Sequence, residues 1–149
     1  IIYSPPAKEI NIRSALRLPL STKFIVKGKM LYNNLEYRTS RDFSIRDISL
    51  SGIGITVPKS QKTSSSLAAL KLNDVIRLGL ALIDLEQNEP VGTIAAQAKV
   101  SRLNTKYSSA YSLIGLQITK LTPENEDILN RFIHDAQIDE LKRLSGRNL

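Results

Sequence analysis

The chain has 149 residues, 42% of them hydrophobic, with no cysteine and a formal net charge of +7 at pH 7. A chain of this length buries about two thirds of its unfolded surface, which suits one core and not two full domains. No apolar run reaches the roughly 20 residues needed to span a bilayer, and no signal peptide is recognisable, so we expect a cytoplasmic protein without membrane insertion. The absence of cysteine excludes a disulfide framework.

The positive charge is concentrated in the first third of the chain. Residues 1–48 contain nine Lys and Arg against four acids, whereas residues 49–149 contain twelve against ten. Net positive charge favours a negatively charged partner, such as a nucleotide, a nucleic acid or an anionic membrane. The basic residues do not form a run of about five or more in the sequence, so they indicate a localised anion site and not a polybasic arm.

The periodicity of apolar residues divides the chain into three parts. Residues 1–22 contain three prolines and no apolar periodicity, which predicts a flexible N-terminal segment. Residues 23–121 contain six segments at hairpin spacing in which apolar and polar residues alternate, which predicts an antiparallel six-stranded β-barrel. The predicted strands lie within residues 22–32, 39–48, 52–57, 74–85, 93–103 and 110–118.

Residues 122–149 are predicted to form a single helix and a tail. Thr122 can cap the helix, Pro123 suits its first position, and Gly146 can end it. An apolar stripe is expected to face the core, and it consists of Ile128, Leu129, Phe132, Ile133 and Ala136. The later apolar residues lie on another face, as a contact for a second partner or as a solvent-exposed tail; they are Ile138, Leu141 and Leu144.

The usual catalytic arrangements are missing from the sequence. With His134 as its one histidine and no cysteine, the chain lacks the ligands typical of a zinc site and the residues of a hydrolytic triad. His134 is expected to be solvated on the helix surface. The stretch GIGITV lacks the third glycine of a dinucleotide-binding motif where Val57 stands, and no P-loop lysine motif occurs. We therefore predict a protein that is not an enzyme and that has no cofactor or metal.

Two short motifs are candidates for a binding site. Arg13 and Arg17 form R-x3-R, and Asp47, Ser49 and Gly52 form D-x-S-x-x-G. An arginine pair at this spacing is expected about 0.65 times by chance in such a composition, whereas the second motif is expected about 0.03 times. Because Asp and Gly are depleted in strand interiors, the second motif marks either a plain turn or a ligand site.

The order of these motifs resembles the PilZ domain, the bacterial receptor module for cyclic di-GMP (c-di-GMP), over about residues 12–121. The stretch GLQI at Gly115, followed by LTPENEDILNRFI, is similar to the end of the C-terminal PilZ domain in flagellar-brake-type receptors, which have a second barrel upstream. Many members have a second glycine where this chain has Ser51, which affects only the detail of the turn. The resemblance implies a six-stranded PilZ-like barrel with a C-terminal helix.

The resemblance also implies a mechanism. c-di-GMP would be clasped between Arg13 and Arg17 of the N-terminal switch segment and the barrel surface at Asp47, Ser49 and Gly52. Guanidinium groups pair with phosphate oxygens or with the guanine O6/N7 edge, and a carboxylate accepts from guanine N1 and N2. The hydroxyl of Ser49 would complete the polar contacts, and Gly52 would permit the backbone to turn. Ordering of the switch segment would then act on an attached domain or a protein partner in motility or exopolysaccharide control.

Two alternatives from other classes remain. A basic β-barrel can bind RNA or single-stranded DNA, but stacking platforms need exposed aromatic rings, and Phe24, Phe43 and Phe132 are all assigned to the core. Nucleic acid is therefore not the expected partner. The other alternative is a PilZ-like scaffold that has lost nucleotide binding and acts through protein contacts alone.

Overall fold

In the part of the chain that the structure describes, one antiparallel β-sheet of eight strands is followed by one helix. The computed structural model describes residues 18–19, 23–59, 67, 70–87 and 89–146. The strands are β1 (Leu18–Pro19), β2 (Phe24–Tyr32), β3 (Leu35–Arg38), β4 (Ser44–Ile48), β5 (Gly52–Pro58), β6 (Val75–Asp84), β7 (Glu89–Asn104) and β8 (Tyr111–Lys120), and the helix is α1 (Pro123–Gly146). The predicted class, all-β with a C-terminal helix, is confirmed.

The order of the strands in the sheet is β1-β4-β5-β8-β7-β6-β2-β3. Within the described part of the chain, β1 and β3 are the two edges, so the sheet is unclosed and the prediction of a closed six-stranded barrel is corrected in strand count and in closure. A parallel bridge between Thr39 and Phe43 joins the residue after β3 to the residue before β4. The two ends of the sheet therefore approach each other without forming a continuous ladder.

The two strands that the periodicity did not predict are both short. Asn33 and Asn34 have φ angles of 53° and 63°, the left-handed backbone of a two-residue hairpin turn, and they reverse the chain from β2 into β3. Only Tyr37 is buried in β3, so the strand has almost no apolar pattern. In β1, Leu18 pairs with Ile48 and Pro19 with Asp47. Proline cannot donate to a ladder, which restricts such a strand to an edge.

The core lies on one face of the sheet and is covered by the first half of α1. Nearly every apolar position of the predicted strands that was expected to face inward is buried, and the rings of Phe24 and Phe132 meet edge to face with centroids 5.8 Å apart. The buried residues of the predicted strands include Phe24, Val26, Phe43, Ile45, Ile48, Ile53, Ile55, Val57, Ile76, Leu78, Leu80 and Leu82. The assignment of all three phenylalanines to the core is confirmed.

The helix begins where the sequence predicts. The Thr122 side-chain oxygen accepts a hydrogen bond from the backbone N–H of Asn125 at 3.2 Å, which caps the first turn, and the described part of the helix reaches Gly146. Of the predicted stripe, Ile128 is partly buried and the other members are buried: Leu129, Phe132, Ile133 and Ala136. The later apolar residues are exposed: Ile138, Leu141 and Leu144.

Among the residues that the structure describes, no helix has both the length and the apolar character needed to cross a membrane. The proposed division into a segment 1–22, a β-domain 23–121 and a helical region 122–149 stays a prediction. Of the first segment, the structure describes only β1.

Candidate ligand-binding site

The D-x-S-x-x-G motif lies on one hairpin of the sheet. Asp47 is in β4, Ser49 is in the turn, and Gly52 is the first residue of β5. The structure therefore brings these three predicted site residues together. Arg13 and Arg17 lie outside the described residues, so their place relative to the hairpin stays a prediction.

A β-bulge decides which way the Asp47 side chain points. Ile45 pairs with Ile55 and Asp47 pairs with Gly54, so Arg46 is an extra residue in β4. Successive side chains of a regular strand alternate between faces, which would place Asp47 on the same side as Ile45. The bulge reverses the alternation, so Ile48 returns to the core beside Ile45 while Asp47 lies on the opposite, outer face.

The carboxylate of Asp47 occupies space that the absence of a side chain at Gly54 leaves open. A β-carbon on Gly54 would lie 3.1 Å from Oδ2 of Asp47 and only 2.9 Å from Oδ1, a distance shorter than real β-carbon contacts. Asp47 is only 8% exposed, and the guanidinium of the half-exposed Arg46 lies 3.5 Å from Oδ2. The carboxylate is thus held against the sheet by a neighbouring cation and by the glycine beneath it.

Sequence reasoning missed Gly54 as a site residue. Its signal was a glycine in the interior of an otherwise β-branched strand, which marks a close approach of another group. Period-two alternation identified Ile53 and Ile55 as core residues, which is confirmed, but it gave no information about what lies on the other face. The group that approaches Gly54 is the side chain of Asp47 on the neighbouring strand.

The side chain of Ser49 forms hydrogen bonds within the turn. Ser49 is 3% exposed, and its side-chain oxygen accepts hydrogen bonds from the backbone N–H of Gly52 at 3.1 Å and of Ser51 at 3.3 Å. The backbone N–H of Ser49 also donates to the carbonyl of Gly52 at 2.8 Å. In this structure Ser49 fixes the turn, and its expected contact with a ligand stays a prediction.

Gly52 does not have the unusual backbone that the sequence analysis expected. None of the glycines in the described ranges has a positive φ, so a left-handed conformation is not the reason for a glycine here. Gly52 is buried and pairs with Gln117 of β8. Ser51, which replaces the second glycine of many PilZ domains, accepts a hydrogen bond at its carbonyl from the N–H of Ile118, so the turn is tied to β8.

An arginine and a tyrosine border the motif on the outer face. The guanidinium carbon of Arg46 lies 5.5 Å from the centre of the Tyr107 ring, within the range of a cation–π contact. Tyr107 lies between β7 and β8 and is 39% exposed. Arg46 therefore connects the carboxylate of Asp47 to an aromatic ring from another hairpin.

The motif residues expose little surface, since Asp47, Ser49 and Gly52 are all buried. A cavity of about 500 Å³ lies elsewhere, over β2, β6 and β7, and includes none of the motif residues. In the described ranges, no cluster of three histidines, aspartates or glutamates could hold a metal ion.

Several solved structures share this fold. The Klebsiella pneumoniae MrkH–c-di-GMP complex superposes with a TM-score of 0.62 at 17% identity over 85% of this chain and 52% of MrkH. Bacillus subtilis MotI/DgrA, an inhibitor of motility, superposes with a TM-score of 0.61 at 15% identity over 83% of this chain and 51% of MotI. The c-di-GMP-bound PilZ domain of Escherichia coli YcgR gives 0.55 at 16% identity over 87% of this chain and 92% of that domain.

At these identities the likeness shows a shared fold. The chain spans about half the length of MrkH and MotI. The comparison with curated protein sequences gives no significant match. A sequence model of the PilZ domain matches residues 11–135, which is most of the chain and includes both motifs. This protein therefore belongs to the PilZ domain family.

Proposed function

We propose that this chain is a c-di-GMP receptor module. The observation that carries the proposal is the position of Asp47, whose carboxylate the bulge at Arg46 places on the outer face of the D-x-S-x-x-G hairpin. Two of the similar structures, those of MrkH and of the YcgR PilZ domain, contain c-di-GMP, which supports the same ligand class here. A binding role fits this surface better than catalysis.

The chemistry of the site suits a guanine nucleotide. An ionised carboxylate can accept hydrogen bonds from guanine N1 and N2, and Asp47 is already oriented by Arg46 and by the sheet below it. In this proposal Ser49 and Gly52 shape the turn that positions the Asp47 carboxylate for the ligand. Ser49 contacts the ligand only after it gives up a hydrogen bond within the turn. The shape of the turn is thus part of the recognition.

Arg13 and Arg17 are proposed to close over the ligand. The pairing of β1 with β4 supports this, because Leu18, the residue that follows Arg17 in the sequence, pairs with Ile48. Consecutive Cα atoms are about 3.8 Å apart, so a guanidinium at position 17 is within reach of the motif.

The output of the switch is proposed to be a change in an attached domain or a protein partner that controls motility or exopolysaccharide in the bacterial cytoplasm. That MotI is an inhibitor of motility supports motility as one such output. A ligand can shift the two states of a switch only by the difference between its affinities for them. The clasped and open states of the segment that carries Arg13 and Arg17 would supply that difference.

The decisive experiment is a calorimetric titration of the purified chain with c-di-GMP. We expect a dissociation constant around micromolar, which corresponds to about 8 kcal/mol. GMP and a single-stranded oligonucleotide of similar charge serve as competitors at the same ionic strength. Equally tight binding of the oligonucleotide would favour the nucleic-acid alternative, and no binding of any nucleotide would favour the protein-interaction scaffold.

An isosteric substitution tests the role of Asp47. Asp47→Asn keeps the size of the side chain but replaces an acceptor oxygen with a donor amide, so it should lose about tenfold or more in c-di-GMP affinity. Asp135→Asn, an exposed position on α1, makes the same change of charge away from the hairpin and should bind like the unaltered chain. Equal affinities of the two variants would contradict the proposed site.

A further inference from the structure

Four residues on four neighbouring strands form one row across the sheet. Asp47 of β4 pairs with Gly54 of β5, Gly54 pairs with Gly115 of β8, and Gly115 pairs with Arg102 of β7. Directly paired residues of antiparallel strands project from the same face of the sheet. The row therefore has the carboxylate of Asp47 at one end, the guanidinium-bearing Arg102 at the other and two glycines between them.

The contacts of the two glycines confirm that the charged side chains share a face. A β-carbon on Gly54 would lie against the carboxylate of Asp47, and a β-carbon on Gly115 would lie 3.2 Å from Cβ and 3.7 Å from Nε of Arg102. The adjacent pair, Ile53 and Leu116, is buried in the core on the opposite face. The row is thus on the outer face, the face that carries the proposed ligand site.

A second bulge places Arg102 just as the first places Asp47. In β7, Val100 pairs with Leu116 and Arg102 pairs with Gly115, so Ser101 is the extra residue. The hydroxyl of Ser101 donates to the carbonyl of Gly115 at 3.1 Å, which ties the bulge to β8. Each charged end of the row follows a bulge, and bulges are known to re-aim side chains next to functional sites.

The row presents an acceptor and a set of donors on neighbouring strands. The carboxylate lies over Gly54 and the Arg102 side chain runs beside Gly115, and adjacent strands are about 4.8 Å apart. Guanine has the acceptors O6 and N7 next to the donors N1–H and N2–H₂, and arginine characteristically pairs with O6 and N7. The carboxylate can accept from N1 and N2 while the neighbouring guanidinium donates to O6 and N7. Adenine does not match this arrangement, because it has a donor amine where guanine has O6.

We propose that Arg102 is a second guanine-recognition residue, which contacts O6 and N7 of the base whose N1 and N2 donate to Asp47. This inference rests on the proposed c-di-GMP site and extends it beyond the two sequence motifs. Arg102 is exposed, so its guanidinium is accessible from solvent. The two glycines keep the row free of other side chains between Asp47 and Arg102.

Calorimetry on the full chain tests the proposal with one variant and one matched control. Arg102→Ala should weaken c-di-GMP binding about tenfold or more, the scale of a two-pronged arginine–guanine contact. Arg77→Ala removes the same charge from an exposed position of β6 outside the row, and it should change affinity less than twofold. Equal losses in both variants would show a general effect of charge and would overturn the proposal.

Two further measurements identify the group that Arg102 contacts. Arg102→Lys keeps the positive charge but not the forked donors, so it should bind c-di-GMP as weakly as Arg102→Ala. Competition with cyclic di-AMP, which has the same phosphates, should show that Arg102→Ala reduces the preference for the guanine ligand. Full binding by Arg102→Lys, or an equal loss for both ligands, would indicate a phosphate contact and would overturn guanine recognition.

The same titrations separate this inference from the proposed function. If the unaltered chain does not bind c-di-GMP, the proposed function fails and the inference fails with it. If the unaltered chain and Arg102→Ala bind c-di-GMP equally, only the inference fails. Thermal unfolding of each variant verifies that a loss of binding is not a loss of the fold.

Discussion

Oδ1 of Asp47 lies 2.9 Å from the point where a β-carbon on Gly54 would stand, so the position of the carboxylate depends on a residue of the neighbouring strand. The two residues pair directly across β4 and β5. A ligand that binds the carboxylate therefore depends on the sequence of β5 as well as on the motif.

Gly54→Ala should displace the Asp47 carboxylate and weaken c-di-GMP binding about tenfold or more, as expected when hydrogen bonds to a charged group are lost. Gly79→Ala is the matched control, because a β-carbon on Gly79 has no atom within 4 Å. Calorimetry gives the affinities, and thermal unfolding verifies the fold. Unchanged binding by Gly54→Ala would mean that the observed position of Asp47 is not the one that the ligand uses.

Arg13→Ala and Arg17→Ala should each lose about 1 to 3 kcal/mol of binding free energy, on the scale of a forked guanidinium contact. The melting temperature should stay nearly constant, because the predicted switch segment lies outside the core. Arg131→Ala, at an exposed position of α1, controls for the change in net charge. A fall of several degrees in either variant would show that these arginines stabilise the fold.

The clasp should also appear in amide hydrogen exchange. Fixing a backbone residue costs about 1 to 2 kcal/mol, so a ligand of this size can order only the few residues around the arginines. Saturating c-di-GMP should protect amides of residues 12–17 and 47–54; Leu18 and Pro19 already pair with β4 without ligand. Protection restricted to residues 47–54 would contradict the clasp even if the ligand binds.

Phe132 is expected to carry much of the docking of α1 on the sheet. It is fully buried and meets Phe24 edge to face, so Phe132→Ala should reduce the free energy of unfolding by about 3 to 5 kcal/mol. Leu141→Ala, in the same helix but 63% exposed, should change it by less than about 0.5 kcal/mol. Urea unfolding measures both, and comparable losses would mean that the second half of α1 also packs against a surface.

A carboxylate at the start of β6 should make stability depend on pH. Asp74 accepts the backbone N–H of Lys71 at 2.9 Å and the hydroxyl of Tyr32 at 2.8 Å, and these bonds, the first more strongly, lower the pKa of Asp74 below its usual 3.8. A lowered pKa in the folded state adds stability above pH 3.8, and this contribution is lost as pH falls through the lowered pKa.

Asp74→Asn should therefore be less stable than the unaltered chain at neutral pH, and the difference should shrink below pH 3.8. Tyr32→Phe removes the bond that has the smaller effect on the pKa of Asp74, so it should keep the larger part of the pH dependence. Urea unfolding from about pH 2.5 to 7 gives the free energy of unfolding of each variant as a function of pH. This range extends to either side of the ordinary pKa of an aspartate side chain. A constant difference between Asp74→Asn and the unaltered chain would contradict this account.

The parts of the fold that follow from local patterns were predictable. Six strands, the helix, its Thr122 cap and its buried stripe follow from period-two and helical periodicity. β3 was not predicted because it buries only Tyr37, and its hairpin depends on two asparagines in the left-handed region. β1 was not predicted because it is two residues long and ends in proline.

The candidate site was predictable only where a motif marks it. Asp47, Ser49 and Gly52 are close in sequence and come together in one hairpin. Gly54, Gly115 and Arg102 become neighbours through the pairing of β5 with β8 and of β8 with β7. Periodicity does not give the order of strands in a sheet, and the two bulges shift the register within β4 and β7, so this row could not be derived from the sequence.

The two bulges also determine where the chain tolerates a change in length. Removal of Arg46 or Ser101 would leave the remaining residues of β4 and β7 on their present faces, because Arg46 has no partner opposite it in β5 and Ser101 has none in β8. A deletion at a paired position of these strands would turn core side chains toward solvent. When PilZ sequences are aligned with this one, a single-residue gap belongs at Arg46 or Ser101, where it leaves the hydrophobic pattern intact.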